Sequence, residues 1–392
     1  MHSTTRQNHL HVLLLIPFML IRTFILILLA VLPTSSVDAA SYQQNDGTII
    51  DPIQLLMEYG GGNHSYAGIN LEPDADLAGA NLHRADLLLA DLAGAILTDG
   101  ILAGANLTES DLTDANLTDA KFHGTILTNA SMSNANLTRA TLTGAWAPHA
   151  NLTEANLTDV WGPYVNLTEA NLASADLTGA NLYRSTLTGA NLVGANLTNA
   201  VLKEATLSGA NLQLANLTGA TLSGVHSGGI TGTPSALPPH WQLYRGYLIG
   251  PYANLFEAEL NNADLTAAKL QHAEMALADL SGADMSGADM SEANMSGADM
   301  SGANLWGANL LFASLYETNL SGAIFSYTEN WNTASWSAAF YYIDNEPIWA
   351  SGMTQAWRDS AGILALAPVP EPTTLLLALL ALTAAPLRVR CG

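Results

Sequence analysis

The sequence is poor in cysteine, basic residues and aromatic residues, and each shortage excludes a class of protein. Its 392 residues include one cysteine, so neither an intrachain disulfide nor a cluster of thiolate metal ligands can form. Lysine and arginine together number 12 against 34 aspartates and glutamates. The resulting formal charge of −22 argues against direct binding to nucleic acid. Aromatic residues make up only 7% of the chain, so its core must consist mainly of small aliphatic side chains.

The N-terminal segment has the three parts of a secretory signal. A polar start precedes the apolar run Val12–Leu32, and small residues follow. The tripeptide VDA at 37–39 suits a signal peptidase, which predicts a signal peptide over residues 1–39 with cleavage after Ala39. Arg22 interrupts the apolar run and lengthens it, so an uncleaved membrane anchor is the alternative.

Residues 369–392 carry a second targeting pattern. A Pro-Glu-Pro triplet is followed by an apolar run over 373–387 and then by two arginines. This order resembles the PEP-CTERM sorting signal of exported bacterial proteins, which implies processing by an exosortase-type membrane enzyme. The apolar run is shorter than the ~20 residues that span a bilayer comfortably, which favours sorting over a permanent anchor. The processing residues implied by the resemblance are Pro370, Glu371, Pro372, Arg388 and Arg390.

Between the two ends, the sequence repeats every five residues. The dominant pentad reads A-(N/D)-L-(T/S)-(G/D/E/N), and it keeps one register over Leu77–Leu222 and a second over Leu255–Phe325. Within a pentad, alanine and leucine are two residues apart, so they point the same way along an extended segment. The small polar residues that follow tolerate a tight turn. The spacing therefore predicts a chain that turns once per pentad and coils around an apolar axis.

The pentad A-(N/D)-L-x-x resembles the repeat of the pentapeptide repeat proteins, and the resemblance covers nearly all of the chain between its two ends. It implies an all-β solenoid, a right-handed quadrilateral β-helix in which four pentads form one coil. We expect two stacked runs, an aromatic cap and a hydrophobic helix at each end of the chain. The expected divisions are a signal peptide at 1–39, a lead-in at 40–74, a first run at 75–224, a Gly/Pro-rich connector at 225–252, a second run at 253–327, the cap at 328–368 and the sorting segment at 369–392.

Two pentads of the first run depart from the pattern without breaking its register. Ala147 and Gly162 stand where leucine is expected, and three aromatic residues, Trp146, Trp161 and Tyr164, lie near them at outward positions. One interpretation is an exposed aromatic surface that contacts a partner. The alternative is a local bulge in which an aromatic ring covers the hole left by the missing leucine.

Residue composition also predicts the form of the connector and of the cap. The connector is rich in glycine and proline around the apolar stretch WQLYRGYLIG, which predicts a hairpin packed on the side of the helix. The cap concentrates tryptophan and tyrosine, and an open solenoid end exposes core and unpaired strand edges. We therefore expect an aromatic lid, with a carbohydrate-stacking surface as the alternative.

A coil of twenty residues would stack acidic side chains in two columns of the second run. One column holds Glu259, Asp279 and Asp299, and the other holds Asp264 and Asp284. Carboxylates ~4.8 Å apart repel one another, which raises their pKa values or recruits a cation. The columns are thus candidates for a low-affinity Ca²⁺ site, with a solvated anionic face as the alternative.

No catalytic motif emerges from the sequence, since its histidines are scattered singly and its serines and aspartates follow the repeat. The pattern therefore favours an exported, non-enzymatic scaffold without a cofactor, at the cell surface or in the extracellular matrix. Its expected partners are a signal peptidase, the sorting enzyme, and a surface protein or polysaccharide, with membrane contact through the terminal segments. Two alternatives stay open: a DNA mimic that binds a topoisomerase if the chain is not exported, and an envelope protein that binds or hydrolyses carbohydrate.

Overall fold

The computed structural model describes residues 42–43, 49–50, 54–55 and 71–367. The predicted signal peptide and sorting segment lie outside these residues, together with Ala39, Pro370, Glu371, Pro372, Arg388 and Arg390. Within the part of the chain that the structure describes, no helix is both long and apolar enough to cross a membrane.

The repeated pentads form coils of twenty residues. Parallel bridges join each paired residue to the residue twenty positions later, from Asp76 to Ala236 and again from Asn254 to Glu329. Four pentads therefore make one turn of a β-solenoid, as the resemblance implies. Every fifth residue starts a new side of the coil, and residues twenty apart stack in a column.

A single pentad shows why the chain turns where it does. Leu117 is fully buried, and the N–H of Ala120 donates to the carbonyl of Leu117 at 3.1 Å, which closes a four-residue turn. The third residue of that turn, Asp119, has a φ of 58°, in the left-handed region. A positive φ at this place is what a type II turn requires, and Gly, Asn and Asp tolerate it best. The preference for G, D, E or N at the end of the pentad is thus partly a backbone requirement.

Backbone hydrogen bonds connect each coil to the next. Leu117 N–H donates to Asn136 O at 2.7 Å, Asn116 N–H donates to Ala95 O at 2.9 Å, and Asp119 N–H donates to the following coil at 3.0 Å. One pentad has few bonds of its own, so its stability comes from its stacked neighbours.

The core consists of the inward leucines and alanines, as expected from the repeat. These side chains are almost completely buried, and the methionines of the three SGADM pentads and of SEANM take the leucine position without exposure. The buried residues form two clusters, one ending at Leu248 and the other beginning at Ile249. Trp241 is partly buried and packs against both clusters.

The connector changes the stacking between these clusters. The ladder of the first run continues beyond residue 224, to Thr231 and Ala236. The predicted hairpin is present, as β5 (Gln242–Tyr244) paired antiparallel with β6 (Tyr247–Ile249). It does not lie only on the side of the helix, because Leu248 and Ile249 are buried in the two clusters. The bridge that joins the two runs pairs His226 with Asn254.

Short elements lie at both ends of the repeated coils. At the N-terminal end, the two antiparallel pairs are β1 (Tyr42–Gln43) with β2 (Ile49–Ile50), and β3 (Gln54–Leu55) with β4 (Ala85–Asp86). At the C-terminal end lie a 3-10 helix (Trp331–Thr333), strand β7 (Phe340–Tyr342), helix α1 (Gln355–Ala361) and strand β8 (Leu364–Leu366), which pairs parallel with β7.

The C-terminal aromatic residues cover the end of the core. The bridge ladder runs on through this segment as far as Ile348. Trp336 is 2% exposed and belongs to the second core cluster, and the ring of Trp349 stacks on Phe325 with centroids 5.6 Å apart. This arrangement matches the expected lid. A lid of this kind protects the apolar core from water where the repeats stop.

Candidate interaction surfaces

Outward asparagine and threonine side chains form ordered ladders along the first run. Asn116 Oδ1 accepts hydrogen bonds from the backbone N–H of Thr118 at 3.2 Å and from its hydroxyl at 2.7 Å. In the next coil, Asn136 Nδ2 donates to Thr118 Oγ1 at 3.0 Å, and Thr138 repeats the pattern. These side chains are therefore held in place by the protein itself before any partner binds.

The predicted acidic columns are present, but their carboxylates accept hydrogen bonds from nearby backbone N–H groups. The bridges Glu259–Asp279 and Asp279–Asp299 confirm the predicted stacking. Asp279 Oδ1 accepts the N–H of Ser281 at 3.0 Å, and Asp299 Oδ1 accepts both a backbone N–H and the amide of Asn319, each at 2.9 Å. Among the residues that the structure describes, no group of three or more His, Cys, Asp or Glu side chains is arranged to hold a metal ion.

In the second acidic column, the pKa of Asp264 shifts in the direction opposite to the one expected. Asp264 and Asp284 stack through a bridge, and each accepts the N–H two residues further on. The expectation of a raised pKa is wrong for Asp264, because hydrogen bonds from the hydroxyl and backbone N–H of Thr266 lower the pKa of its carboxyl. The hydrogen bonds from Thr266 thus outweigh the desolvation of the carboxyl, which raises its pKa.

Asp289 is a further, half-buried acid that the sequence analysis missed. Partial burial raises its pKa, but the hydrogen bonds from Ser291, Gln271 and Asn309 together lower the pKa by more, so the net shift is downward. Gln271 Nε2 lies 2.6 Å from Oδ2, and Asn309 Nδ2 lies 2.9 Å from Oδ1. Asn309 is twenty residues later in the chain, so the coil length was the signal that would have found this pair.

The aromatic residues of the first run are exposed, as the first interpretation requires. Trp146, Trp161 and Tyr164 are 52–54% exposed. No bulge forms, because the bridges of both tryptophans to the coils before and after them are intact. The alternative in which an aromatic ring covers the hole is therefore wrong.

The missing leucine at Gly162 is instead compensated from inside the coil. A Cβ added at Gly162 would lie 3.5 Å from Val160 Cγ1 and from Leu142 Cβ, so Val160 already leans towards the gap. Val160 and Val165 are buried at positions where the repeat usually has alanine. The extra methyl groups occupy part of the volume that leucine would fill.

The aromatic surface continues beside Tyr164, where the side chains of Tyr183, Arg184 and Glu204 lie. The ring of Tyr183 lies 5.8 Å from Tyr164, edge to face, and the guanidinium of Arg184 lies 5.1 Å above Tyr183. Arg184 forms an ion pair with Glu204, which lowers the pKa of that carboxyl, and its bonds to Glu204 and Tyr164 raise the pKa of the guanidinium. Tyr164, Arg184 and Glu204 are twenty residues apart, so the coil length predicts this column once the fold is known.

Two clefts lie where the second run meets the connector and the first run, and several exposed rings lie on the second run; the sequence analysis named none of them. One cleft of about 370 Å³ lies beside Asn254, and a smaller one of about 210 Å³ lies between Trp241 and Lys269. The rings that are exposed on this run are Tyr252, Phe256, Trp306, Phe312, Tyr316 and Tyr327.

Comparison with known proteins identifies similar chains of the same repeat type. HetL, a pentapeptide repeat protein involved in heterocyst differentiation regulation in the cyanobacterium Nostoc sp. strain PCC 7120, is 26% identical, with 70% of this chain and 92% of HetL covered and a TM-score of 0.19. A pentapeptide repeat protein from the Arabidopsis thaliana thylakoid lumen is 34% identical over 26% of this chain and 66% of its own, with a TM-score of 0.17. QnrB1, a plasmid-mediated fluoroquinolone resistance protein, is 13% identical over 81% of this chain and 99% of its own, with a TM-score of 0.21.

No curated protein matches the chain. The family profile described as pentapeptide repeats matches in eight copies, at residues 75–114, 102–134, 115–153, 135–160, 166–203, 195–226, 258–297 and 293–328. Since these segments cover more than half of the sequence and coincide with the coils of the solenoid, the chain belongs to the pentapeptide repeat family.

Proposed function

We propose that the protein is an exported, non-enzymatic scaffold that acts at the cell surface or in the extracellular matrix. In this proposal the two runs stack into one acidic, right-handed quadrilateral rod. The signal peptide ends at Ala39, and the segment that begins at Pro370, Glu371 and Pro372 is processed by an exosortase-type enzyme after transient membrane contact. Neither a catalytic group nor a cofactor takes part.

The division between inward and outward side chains is the observation that carries this proposal. The inward leucines and alanines are buried in a repetitive core, and the outward asparagines, aspartates and threonines bond to their own backbone or to the next coil. Such side chains form a regular, pre-ordered surface, and ordering that is already complete lowers the entropic cost of binding a partner.

The aromatic surface of the first run is the proposed contact with a surface protein or polysaccharide. It comprises Trp161, Tyr164, Tyr183 and Arg184 on one side of the coil and Trp146 on a neighbouring side, and aromatic and arginine side chains are the types that most often dominate binding energy. Both tryptophans occupy positions where the repeat usually has asparagine, so replacing them with asparagine keeps the backbone ladder.

Fractionation of the native cells, followed by intact mass spectrometry of the product, tests the proposal. We expect a chain that lacks both terminal segments in the envelope or the medium. A full-length cytoplasmic product would contradict export and would make topoisomerase binding by the acidic rod the next hypothesis to test. The variant Trp146→Asn/Trp161→Asn should be exported normally but released from the cell surface by milder washing than the wild-type protein.

A further inference from the structure

Two matching rows of aromatic side chains lie on one side of the second run. The first row is the segment YANLF at 252–256, and the second is the segment FASLY at 312–316. Their middle residues, Asn254 and Ser314, belong to one column of bridges that also contains Glu274 and Asn294. The two rows are thus three coils apart, about 14 Å along the solenoid at ordinary strand spacing.

The four rings of these aromatic rows face solvent. Tyr252, Phe256, Phe312 and Tyr316 are 45–63% exposed, although the repeat normally has small polar residues at their positions. Tyr252 is supported from below by His272, whose ring is stacked on it with centroids 4.4 Å apart and planes 10° apart. The aromatic residues therefore stand at the corners of one face, and at least one of them is fixed in orientation.

The surface between the rows is polar, and its side chains are hydrogen-bonded to one another. Asn294 Nδ2 donates to Glu274 Oε1 at 2.8 Å, and Ser296 Oγ donates to Asn294 Oδ1 at 2.6 Å. At the edge of the face, His272 Nδ1 lies 3.3 Å from a carboxylate oxygen of Glu292. Donors and acceptors thus alternate between two apolar ends.

A cleft of about 370 Å³ adjoins the first row. It lies where the two runs join, because Ser208 and His226 of its lining precede the connector hairpin and Asn254 follows it. This volume lies within the ordinary range of small-molecule sites, roughly 300–1,000 Å³. The residues that line it are Ser208, His226, Ser227, Asn254, Phe256 and Glu274.

From this arrangement we propose that the aromatic rows bind an uncharged polysaccharide chain that lies parallel to the solenoid axis. Sugar rings present C–H groups to the negative faces of aromatic rings, and their hydroxyls both donate and accept hydrogen bonds, as the polar centre requires. An anionic polymer is disfavoured by Glu274 and by the net charge of −22. The proposal rests on the scaffold function proposed above, since it names the polymer that one outward face of the scaffold recognises.

Affinity electrophoresis of the purified full-length chain tests the proposal directly. The native gels contain hydroxyethylcellulose or glucomannan as neutral polymers, alginate as the acidic polymer, or no polymer. We expect retardation by at least one neutral polymer and none by alginate. No retardation by either neutral polymer, or stronger retardation by alginate, would overturn the proposal.

The variants use residues that the repeat itself prefers at each position. Phe256→Ser/Phe312→Asn should bind the neutral polymer about tenfold more weakly, as expected for losing stacking on two rings. Tyr252→Asn/Tyr316→Ser is the second pair and should weaken binding in the same way. The matched control is Trp306→Ser, because Trp306 is similarly exposed on another side of the same run. Equal loss of binding in the control would contradict the assignment of the face.

Unchanged circular dichroism and thermal midpoints would show that these variants fold. This assay also separates the two proposals. Export can be contradicted by cell fractionation while polysaccharide binding by the purified chain persists, and loss of polysaccharide binding leaves export intact.

Discussion

The gap at Gly162 provides a quantitative test of how the core of the solenoid is packed. A Cβ at this position would be 3.5 Å from Val160 Cγ1, Leu142 Cβ and Asn181 O, which is ordinary contact. Gly162→Ala should therefore fit and should raise the free energy of unfolding by about 0.5–1 kcal/mol, because alanine restricts the unfolded chain. Gly162→Leu adds three carbon atoms more than alanine does, to a space that Val160 already occupies in part, and should lower the free energy of unfolding by about 1–3 kcal/mol.

Removing the compensating methyl groups should reverse the effect of the larger side chain. Val160→Ala alone enlarges the gap and should lower the free energy of unfolding by about 2–3 kcal/mol. The double variant Val160→Ala/Gly162→Leu restores the usual alanine and leucine of the repeat. It should be more stable than the two single effects would sum to, with a coupling of about 1–3 kcal/mol.

Denaturant unfolding of the four proteins gives the coupling energy, and hydrogen exchange gives its location. The amides to follow are those of Leu142, which donates to Trp161 O at 2.8 Å, and Gly162, which donates to Asn181 O at 2.8 Å. Faster exchange should appear there first in the destabilised variants, because neighbouring coils share their stability. A coupling near zero would refute compensation by Val160. So would a fully tolerated leucine at position 162 with valine retained.

Three further predictions follow from the turns, the acids and the connector. Leu277 has a φ of 59°, so Leu277→Asn should raise the thermal midpoint by relieving about 1 kcal/mol of strain, while Gly287→Ala, at a φ of 64°, should lower it by a similar amount. Folding lowers the pKa values of four carboxyl groups, so protonation at low pH favours the unfolded chain; the groups are Asp119, Glu204, Asp264 and Asp289. The thermal midpoint should therefore decrease as the pH is lowered below about 4. Asp289→Asn should make the midpoint measured by calorimetry depend less on pH. A Cβ at Gly250 would overlap the ring of Trp241, so Gly250→Ala should destabilise the joint by about 1–3 kcal/mol, and faster exchange of amides in β5 and β6 should reveal it. Gly162→Ala is the matched control, because neither glycine has a positive φ and a Cβ at Gly162 meets its neighbours only at 3.5 Å.

The pentad period was sufficient to predict the coil and its core. Spacing alone places alanine and leucine on one face of an extended segment, and the resemblance to a known repeat supplies the number of sides. The lid was predictable as well, because an array of apolar coils must end and the aromatic residues are concentrated where the repeats stop. The pentad pattern is local and repeated, so tertiary context does not alter it.

Acid behaviour and the stacking at the connector were harder to predict. The acidic columns were located correctly, but each aspartate also accepts the backbone N–H two residues further on, and this bond depends on the geometry of the turn rather than on the spacing of the coils. At the connector, the glycines and prolines indicate a turn but not its depth. The burial of Leu248 and Ile249 depends on the space between two coils, which sequence spacing does not specify.

The repeat separates the residues that stabilise this protein from those available for recognition. Inward positions tolerate little change because each contacts the coils on both sides, whereas outward positions bear only the local demands of the turn and ladder. Aromatic residues placed outward add little to the core, so a requirement other than folding must account for them. They concentrate where the pentad pattern is interrupted, at the missing leucines of the first run and near the connector and the cap of the second. Departures from the repeat are therefore the positions at which binding by this solenoid should first be sought.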